Sequence, residues 1–182
     1  MISYNICFIK RNNEILLLNR NFKPWMGCWN GVGGKIESDE SPRDSMIREI
    51  YEETNMKEYD LQFKGLITWK VDESDLGGMY LYVAEVHDQF IYETPIKTDE
   101  GLLDWKPISW IIDPNNIGIA ANIPITIEMI LNDSSSYDHH CIYAKGKLIE
   151  LISNKIDSNF ETNQERTEEY LGKYVKEDSG IR

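Results

Sequence analysis

Three carboxylates, Glu49, Glu52 and Glu53, crowd one short stretch of this chain. In a helix, at about 100° per residue, positions i, i+3 and i+4 fall within one sector about 100° wide. Like charges on neighbouring turns repel, so helix stability alone gives no reason for them. A divalent cation resolves the repulsion, and Mg²⁺, which takes oxygen ligands, suits carboxylates. A metal held this way can act as an electrostatic clamp on a negatively charged reacting group. The competing reading of a bare E-x-x-E-E is a solvated acidic face, and the surroundings decide between the two.

Positioning these acids requires a helix with defined ends. Ser41-Pro42-Arg43-Asp44 supplies an N-cap, a proline at the first helical position and an acid at the third, so the helix is expected to start at Pro42. Asn55, a residue that tolerates left-handed backbone, is expected to stop it after Thr54. Ile47, Ile50 and Thr54 are expected on a face away from the glutamates.

Upstream, residues 2–9 and 14–19 are apolar β-prone runs joined by Arg11-Asn12-Asn13, which predicts a hairpin. Between hairpin and helix, Pro24, Gly27, Gly31, Gly33 and Gly34 mark a loop carrying Trp25 and Trp29, a candidate pocket wall. Strand-like runs follow at about 61–71, 78–86 and 102–112, then a helix-like run at 122–131. Two further runs from 137 to 153 flank Ala144-Lys145-Gly146-Lys147 and predict another hairpin. His139-His140-Cys141 lies in the first of these, where neighbouring side chains point to opposite faces, so an edge strand is expected rather than a metal site. After Ser153 the chain turns polar. The expected organisation is a catalytic domain over 1–153 and a tail over 154–182 that is either disordered or a solvated helix, dispensable for catalysis, its charge run from Glu161 to Glu177 facing solvent.

The whole chain of 182 residues carries 31 acidic against 19 basic side chains, a net charge of −12. That acidity argues against a sequence-independent grip on nucleic acid polymers or on anionic membranes. Cys7, Cys28 and Cys141 are an odd, widely spaced set that provides no disulfide framework, and the apolar run Ile6 to Ile9 is too short for a signal peptide. A cytoplasmic protein is expected.

Gly34, Glu40, Arg48-Glu49-Ile50, Glu52-Glu53 and Asn55-Met56 fit G-x5-E-x7-R-E-U-x-E-E-x-G-U, with U aliphatic, at every fixed position except Asn55 in place of the last glycine. Six such matches arise by chance about once in ten million start positions. The segment resembles the Nudix box of the Nudix hydrolase superfamily. A looser similarity to the MutT-like branch (8-oxo-dGTP diphosphatase-like) runs from about residue 3 to 131, carried by Trp29-Asn30-Gly31-Val32-Gly33-Gly34-Lys35 and by Thr98-Asp99-Glu100-Gly101 with Trp105.

The resemblance implies an α/β/α sandwich around a mixed central sheet and hydrolysis of a nucleoside diphosphate linked to another moiety. It implies Mg²⁺, with Mn²⁺ as the alternative, held by Glu49, Glu52, Glu53 and the Gly34 carbonyl. Arg48 would orient a carboxylate, and Glu100 would be a further ligand or the base that activates water; which glutamate is the base is left open. Asn30 is the expected reader of a base edge, since an amide offers both donor and acceptor. Lys35 is a candidate phosphate contact, and Trp29 and Trp105 are candidate stacking platforms or core residues. The expected reaction converts a nucleoside triphosphate to monophosphate and pyrophosphate. An oxidised purine such as 8-oxo-dGTP is the specific candidate, weakened because the segment Asp113-Pro114-Asn115-Asn116-Ile117-Gly118 and then Asn122 departs from the acidic and aromatic side chains that members reading oxidised purines often place there. ADP-ribose, a dinucleoside polyphosphate or a nucleotide sugar is the alternative substrate, and a non-catalytic nucleotide sensor the alternative role. A homodimer is left open.

Overall fold

The computed structural model describes residues 2–72 and 76–176. Among them a nine-stranded mixed sheet forms the middle layer. It is built from β1 (Tyr4–Arg11), β2 (Glu14–Arg20), β3 (Trp29–Asn30), β4 (Asp60–Val71), β5 (Gly77–Glu85), β6 (Ile96–Lys97), β7 (Gly101–Pro107), β8 (Ser136–Ala144) and β9 (Lys147–Ile156). The order across the sheet is β6-β7-β2-β1-β5-β4-β8-β9, with β3 paired to β2 off this path. β1 with β5 and β4 with β8 are parallel, and the other pairs are antiparallel.

The alternation of side chains along each strand sends two apolar sets to opposite faces. Cys7, Ile9, Leu16 and Leu18 join one core, with Met46 and Ile50 of α1 (Pro42–Thr54) and Leu171 and Tyr174 of the C-terminal helix. Ile6, Phe8, Ile15 and Leu17 join the other. There they meet Ile111 of the short α2 (Ile108–Ile111) and Ile123, Ile127 and Ile130 of α3 (Ile123–Asn132). The result is the expected α/β/α sandwich. No described helix is long and apolar enough to cross a membrane.

Both hairpins form. Asn12 takes a positive φ of 52° in the first, and Lys145 and Gly146, at 51° and 75°, turn the second. The run expected as a strand to 112 breaks instead at Pro107. Having no N–H to give the ladder, Pro107 ends β7 and α2 follows at once.

Two expectations are corrected. β8 is an interior strand, because β9 covers its outer side; His139, His140 and Cys141 are buried at 1%, 5% and 1% exposure. The polar stretch after Ser153 is folded as far as residue 176 and solvated on one face only, with Glu165, Arg166, Glu168 and Glu169 exposed. β9 continues to Ile156, a 3₁₀ turn spans Ser158–Glu161, and α4 (Gln164–Lys176) lies on the α1 side of the sheet. Phe160, Thr167, Leu171 and Tyr174 are buried there, an apolar stripe that outweighs the segment's mean polarity. Residues 177–182 of the expected tail, Glu177 among them, lie outside the described residues.

Candidate active site

α1 begins and ends as its sequence dictates. The Ser41 hydroxyl accepts the Asp44 N–H at 3.1 Å, Pro42 fills the first turn, and Asn55 takes left-handed backbone at φ 59°. Its buried stripe is Ser45, Met46, Ile50 and Thr54, whereas Ile47 is 44% exposed, one residue too far round the helix to reach the sheet. This anchoring points Glu49 and Glu53 toward the glycine loop and leaves Glu52 exposed.

The loop meets them at close quarters. Gly33, with φ 142°, gives its N–H to Glu53 Oε1 at 2.9 Å. A Cβ on Gly34 would sit 2.6 Å from both Glu49 carboxylate oxygens, so no larger residue fits without displacing that carboxylate. Gly34 is held in turn by Asn5, which receives the Gly34 N–H on Oδ1 at 3.1 Å. Glu53 Oε2 is buried and has no hydrogen-bond partner.

Burial pushes the Glu53 carboxyl up to about 8; the Gly33 N–H opposes it, the nearby charges of Glu49 and Glu100 add to it, and Arg20 opposes it least. Glu49 is also raised, mainly by burial, although Arg48 opposes it. Arg48 is the hub. It donates to Glu40 through Nε at 2.6 Å and Nη2 at 2.8 Å, to Glu49 Oε1 at 2.8 Å and to Glu52 Oε2 at 3.0 Å. Those two bonds from Arg48 hold the Glu40 carboxyl down at about 2.

A partnerless buried carboxylate oxygen beside a glycine turn, with hard oxygen donors around it, fits a divalent cation. Glu53, Glu49 and the Gly34 backbone are the residues that would hold it. As the side chains lie, no three acidic, His or Cys side chains among the described residues converge at metal-binding distance, and Arg48 is paired with both Glu49 and Glu52.

The other expected residues divide. Glu100 is exposed on the turn into β7 yet close enough for its charge to raise Glu53. Asn30, opposite Leu18 in the β2–β3 pair, shares the face of α1; its Oδ1 accepts the Gly31 N–H at 2.9 Å. Trp29 pairs with Asn19 and lies on the opposite face, edge-on to Trp110 at 6.4 Å with Lys106 Nζ 4.2 Å over its ring, away from the carboxylates. Trp105 lies in the core: 8% exposed, its Nε1–H is bonded to the Tyr92 carbonyl at 3.0 Å and Arg11 covers its ring. The Lys35 side chain is exposed, and it is the Lys35 carbonyl that enters the network, accepting from Arg48 at 3.1 Å. Arg20 was not anticipated. It continues the Leu16, Leu18 alternation onto the α1 face, and its charge lowers Glu53; that two-residue period was the signal for it.

The fold and site together define a mixed-sheet α/β architecture in which an acidic helix is packed against a Gly-Gly turn. The NUDIX domain profile matches residues 2–116, and the chain belongs to that family, whose members hydrolyse phosphoanhydride bonds of nucleotide-like substrates. It is similar to the uncharacterised Nudix hydrolase YvcI of Bacillus subtilis, 28% identical over 152 residues covering 83% of this chain and 91% of that protein. It is 29% identical over 104 residues to the NAD-capped RNA hydrolase NudC of Haemophilus influenzae, a match covering 50% of this chain and 39% of that protein. Among solved structures, a MutT protein from Bacillus halodurans superposes with a TM-score of 0.69 at 21% identity, over 85% of this chain and 98% of that one, so the fold is MutT-like.

Proposed function

We propose that this protein is a Mg²⁺-dependent pyrophosphohydrolase that cleaves a nucleoside triphosphate to monophosphate and pyrophosphate. The observation that carries the reading is the buried, partnerless Oε2 of Glu53, held beside Gly33 and Gly34 with Glu49 against the same turn. A cation bound there supplies positive charge against the phosphate oxygens. Glu49, Glu52, Glu53 and the Gly34 carbonyl are the residues to hold it, with Glu100 able to join from the turn before β7. Arg48 releases the carboxylates it now grips and stays anchored on Glu40. Arg20, on the same face, is available to phosphate oxygens. In this reading Asn30 faces the base, and Mn²⁺ substitutes for Mg²⁺.

The test is a hydrolysis screen with Mg²⁺ over ordinary and oxidised nucleoside triphosphates, ADP-ribose, dinucleoside polyphosphates and nucleotide sugars. Triphosphates, with 8-oxo-dGTP as the oxidised-purine arm, are expected to give the highest kcat/KM, with pyrophosphate as product. A higher kcat/KM on ADP-ribose or a dinucleoside polyphosphate would replace the substrate but keep the chemistry. No hydrolysis of any of them, with nucleotide binding retained, would make the chain a sensor.

A further inference from the structure

Asn5 is a polar side chain at the head of an apolar buried run, Ile6 to Ile9, and it is itself only 3% exposed. It takes hold of both backbone polar groups of Gly34. Its own N–H donates to the Gly34 carbonyl at 2.9 Å, and its Oδ1 accepts the Gly34 N–H at 3.1 Å. Its Nδ2 is buried without a partner. An unpaired buried donor costs about 1–3 kcal/mol, a cost an apolar residue of similar shape avoids. What the amide adds in return is the acceptor for Gly34.

That acceptor matters because two acids lean on the same turn. Glu49 lies against the Gly34 Cα, and Glu53 hangs from the N–H of Gly33. The Asn5 backbone N–H already holds the Gly34 carbonyl; Oδ1 restrains the preceding Gly33–Gly34 peptide, where glycine itself imposes little restraint and a tilt would let both carboxylates drift. We propose that Asn5 is a positioning residue of the cation site: by pinning the Gly33–Gly34 peptide through Oδ1, next to the Gly34 carbonyl that its backbone N–H holds, it sets Glu49 and Glu53 in place for a divalent cation. The proposal rests on the cation-dependent reading of the site given above.

The experiment is a Mn²⁺ titration of the full chain without substrate, followed by the electron paramagnetic resonance of free Mn²⁺. Wild type, Asn5→Leu and Asn5→Asp are compared, each with a cation-free thermal melt. Loss of an outer contact to a metal ligand weakens metal affinity about 10- to 100-fold, and Asn5→Leu is expected in that range. Asn5→Asp keeps an acceptor for the Gly34 N–H and is expected to bind no more than about threefold more weakly than wild type. In turnover, excess Mg²⁺ restores the kcat of Asn5→Leu toward wild type, which a purely structural defect would not do. If Asn5→Leu fails to fold, Asn5→Thr, β-prone and too short to reach Gly34, carries the same expectation. Wild-type affinity in the Leu or Thr variant, whatever its melting temperature, overturns the proposal, as does Asn5→Asp binding as weakly as Asn5→Leu. Absence of Mn²⁺ binding by wild type overturns the cation reading as well, which separates the two failures.

Discussion

Arg48 grips Glu40 in a fork, Nε to Oε1 at 2.6 Å and Nη2 to Oε2 at 2.8 Å, and spends its remaining nitrogen on Glu49 and Glu52. Glu40 thus anchors the guanidinium while the two helix acids compete for what is left of it. A planar guanidinium satisfies this arrangement and an ammonium does not.

Arg48→Lys is therefore expected to lower kcat about 10- to 100-fold although the charge is kept. Glu40→Gln frees the guanidinium to hold Glu49 and Glu52 more tightly against the cation, so the Mg²⁺ concentration for half-maximal rate should rise several-fold. Mg²⁺ activation curves measure both. An unchanged half-maximal concentration in Glu40→Gln would show that the fork does not regulate access to the acids.

Glu53→Gln keeps shape and removes a ligand charge. Turnover is expected to fall by several powers of ten while the fold persists, and a chelator should abolish the wild-type rate. A variant that keeps more than about a tenth of the wild-type rate at saturating Mg²⁺ would remove Glu53 from the metal site.

The raised Glu53 carboxyl gives a pH signature with a defined sign. Its value in the fold is about 8 against 4.5 for the free group, so between those limits the folded chain binds more protons than the unfolded one. The stability Glu53 contributes without cation is fully present below pH 4.5 and is lost as pH rises through about 8. Melting temperature measured without cation should fall across that window more steeply in wild type than in Glu53→Gln. Cation must displace the same proton, so Mn²⁺ affinity should climb by up to about tenfold per pH unit over the same range. A flat affinity between pH 6 and 8 would show Glu53 ionised before the metal arrives.

α1 was legible because its signals are local: a serine cap, a proline in the first turn, and an asparagine able to turn left-handed at Asn55. The acidic sector follows from helical periodicity alone. The partners of those acids did not show, since Gly33 lies 20 residues from Glu53 and Asn5 lies 29 residues from Gly34, and no local pattern encodes such contacts. Trp105 could be read as platform or core; only the position of Tyr92 and Arg11 decides it. His139 and His140 lie in an interior strand because β8 pairs with the distant β4 on one side and with β9 on the other, and no local pattern encodes the first of these pairings.

Asn30 shares the sheet face of the carboxylates, and Trp29 beside it does not. Asn30→Ala should reduce discrimination between purine substrates by about 1–3 kcal/mol and leave hydrolysis of a minimal polyphosphate nearly unchanged. Equal losses on every substrate would mean instead that the Asn30 to Gly31 bond shapes the loop.

α4 settles onto the sheet through a buried carboxylate. Asp138, with no exposure, accepts the Thr68 hydroxyl at 2.7 Å and the Tyr170 hydroxyl at 3.0 Å, and the Tyr174 hydroxyl makes a third bond to it. The Tyr174 ring stacks on His140 at 3.9 Å, and Thr167, Leu171 and Tyr174 form the buried stripe. At the other end of the segment, Glu161 pairs with Arg43 in the first turn of α1 at 2.8 Å, so the C-terminal part braces α1. Each fully buried large apolar side chain contributes about 1.5–3 kcal/mol, and removal of two tyrosine donors would leave Asp138 short of partners. A chain ending at Asn154 is therefore expected to melt about 10 °C or more below the full chain and to lose kcat/KM as α1 loosens. Tyr174→Phe keeps the ring and removes one donor, so it should cost about 1–3 kcal/mol, a fall of roughly 2–10 °C. Calorimetry on the two variants separates packing from hydrogen bonding. A shortened chain with unchanged melting temperature and kcat/KM would show that the α4 contacts contribute nothing and that residues after Asn154 are dispensable.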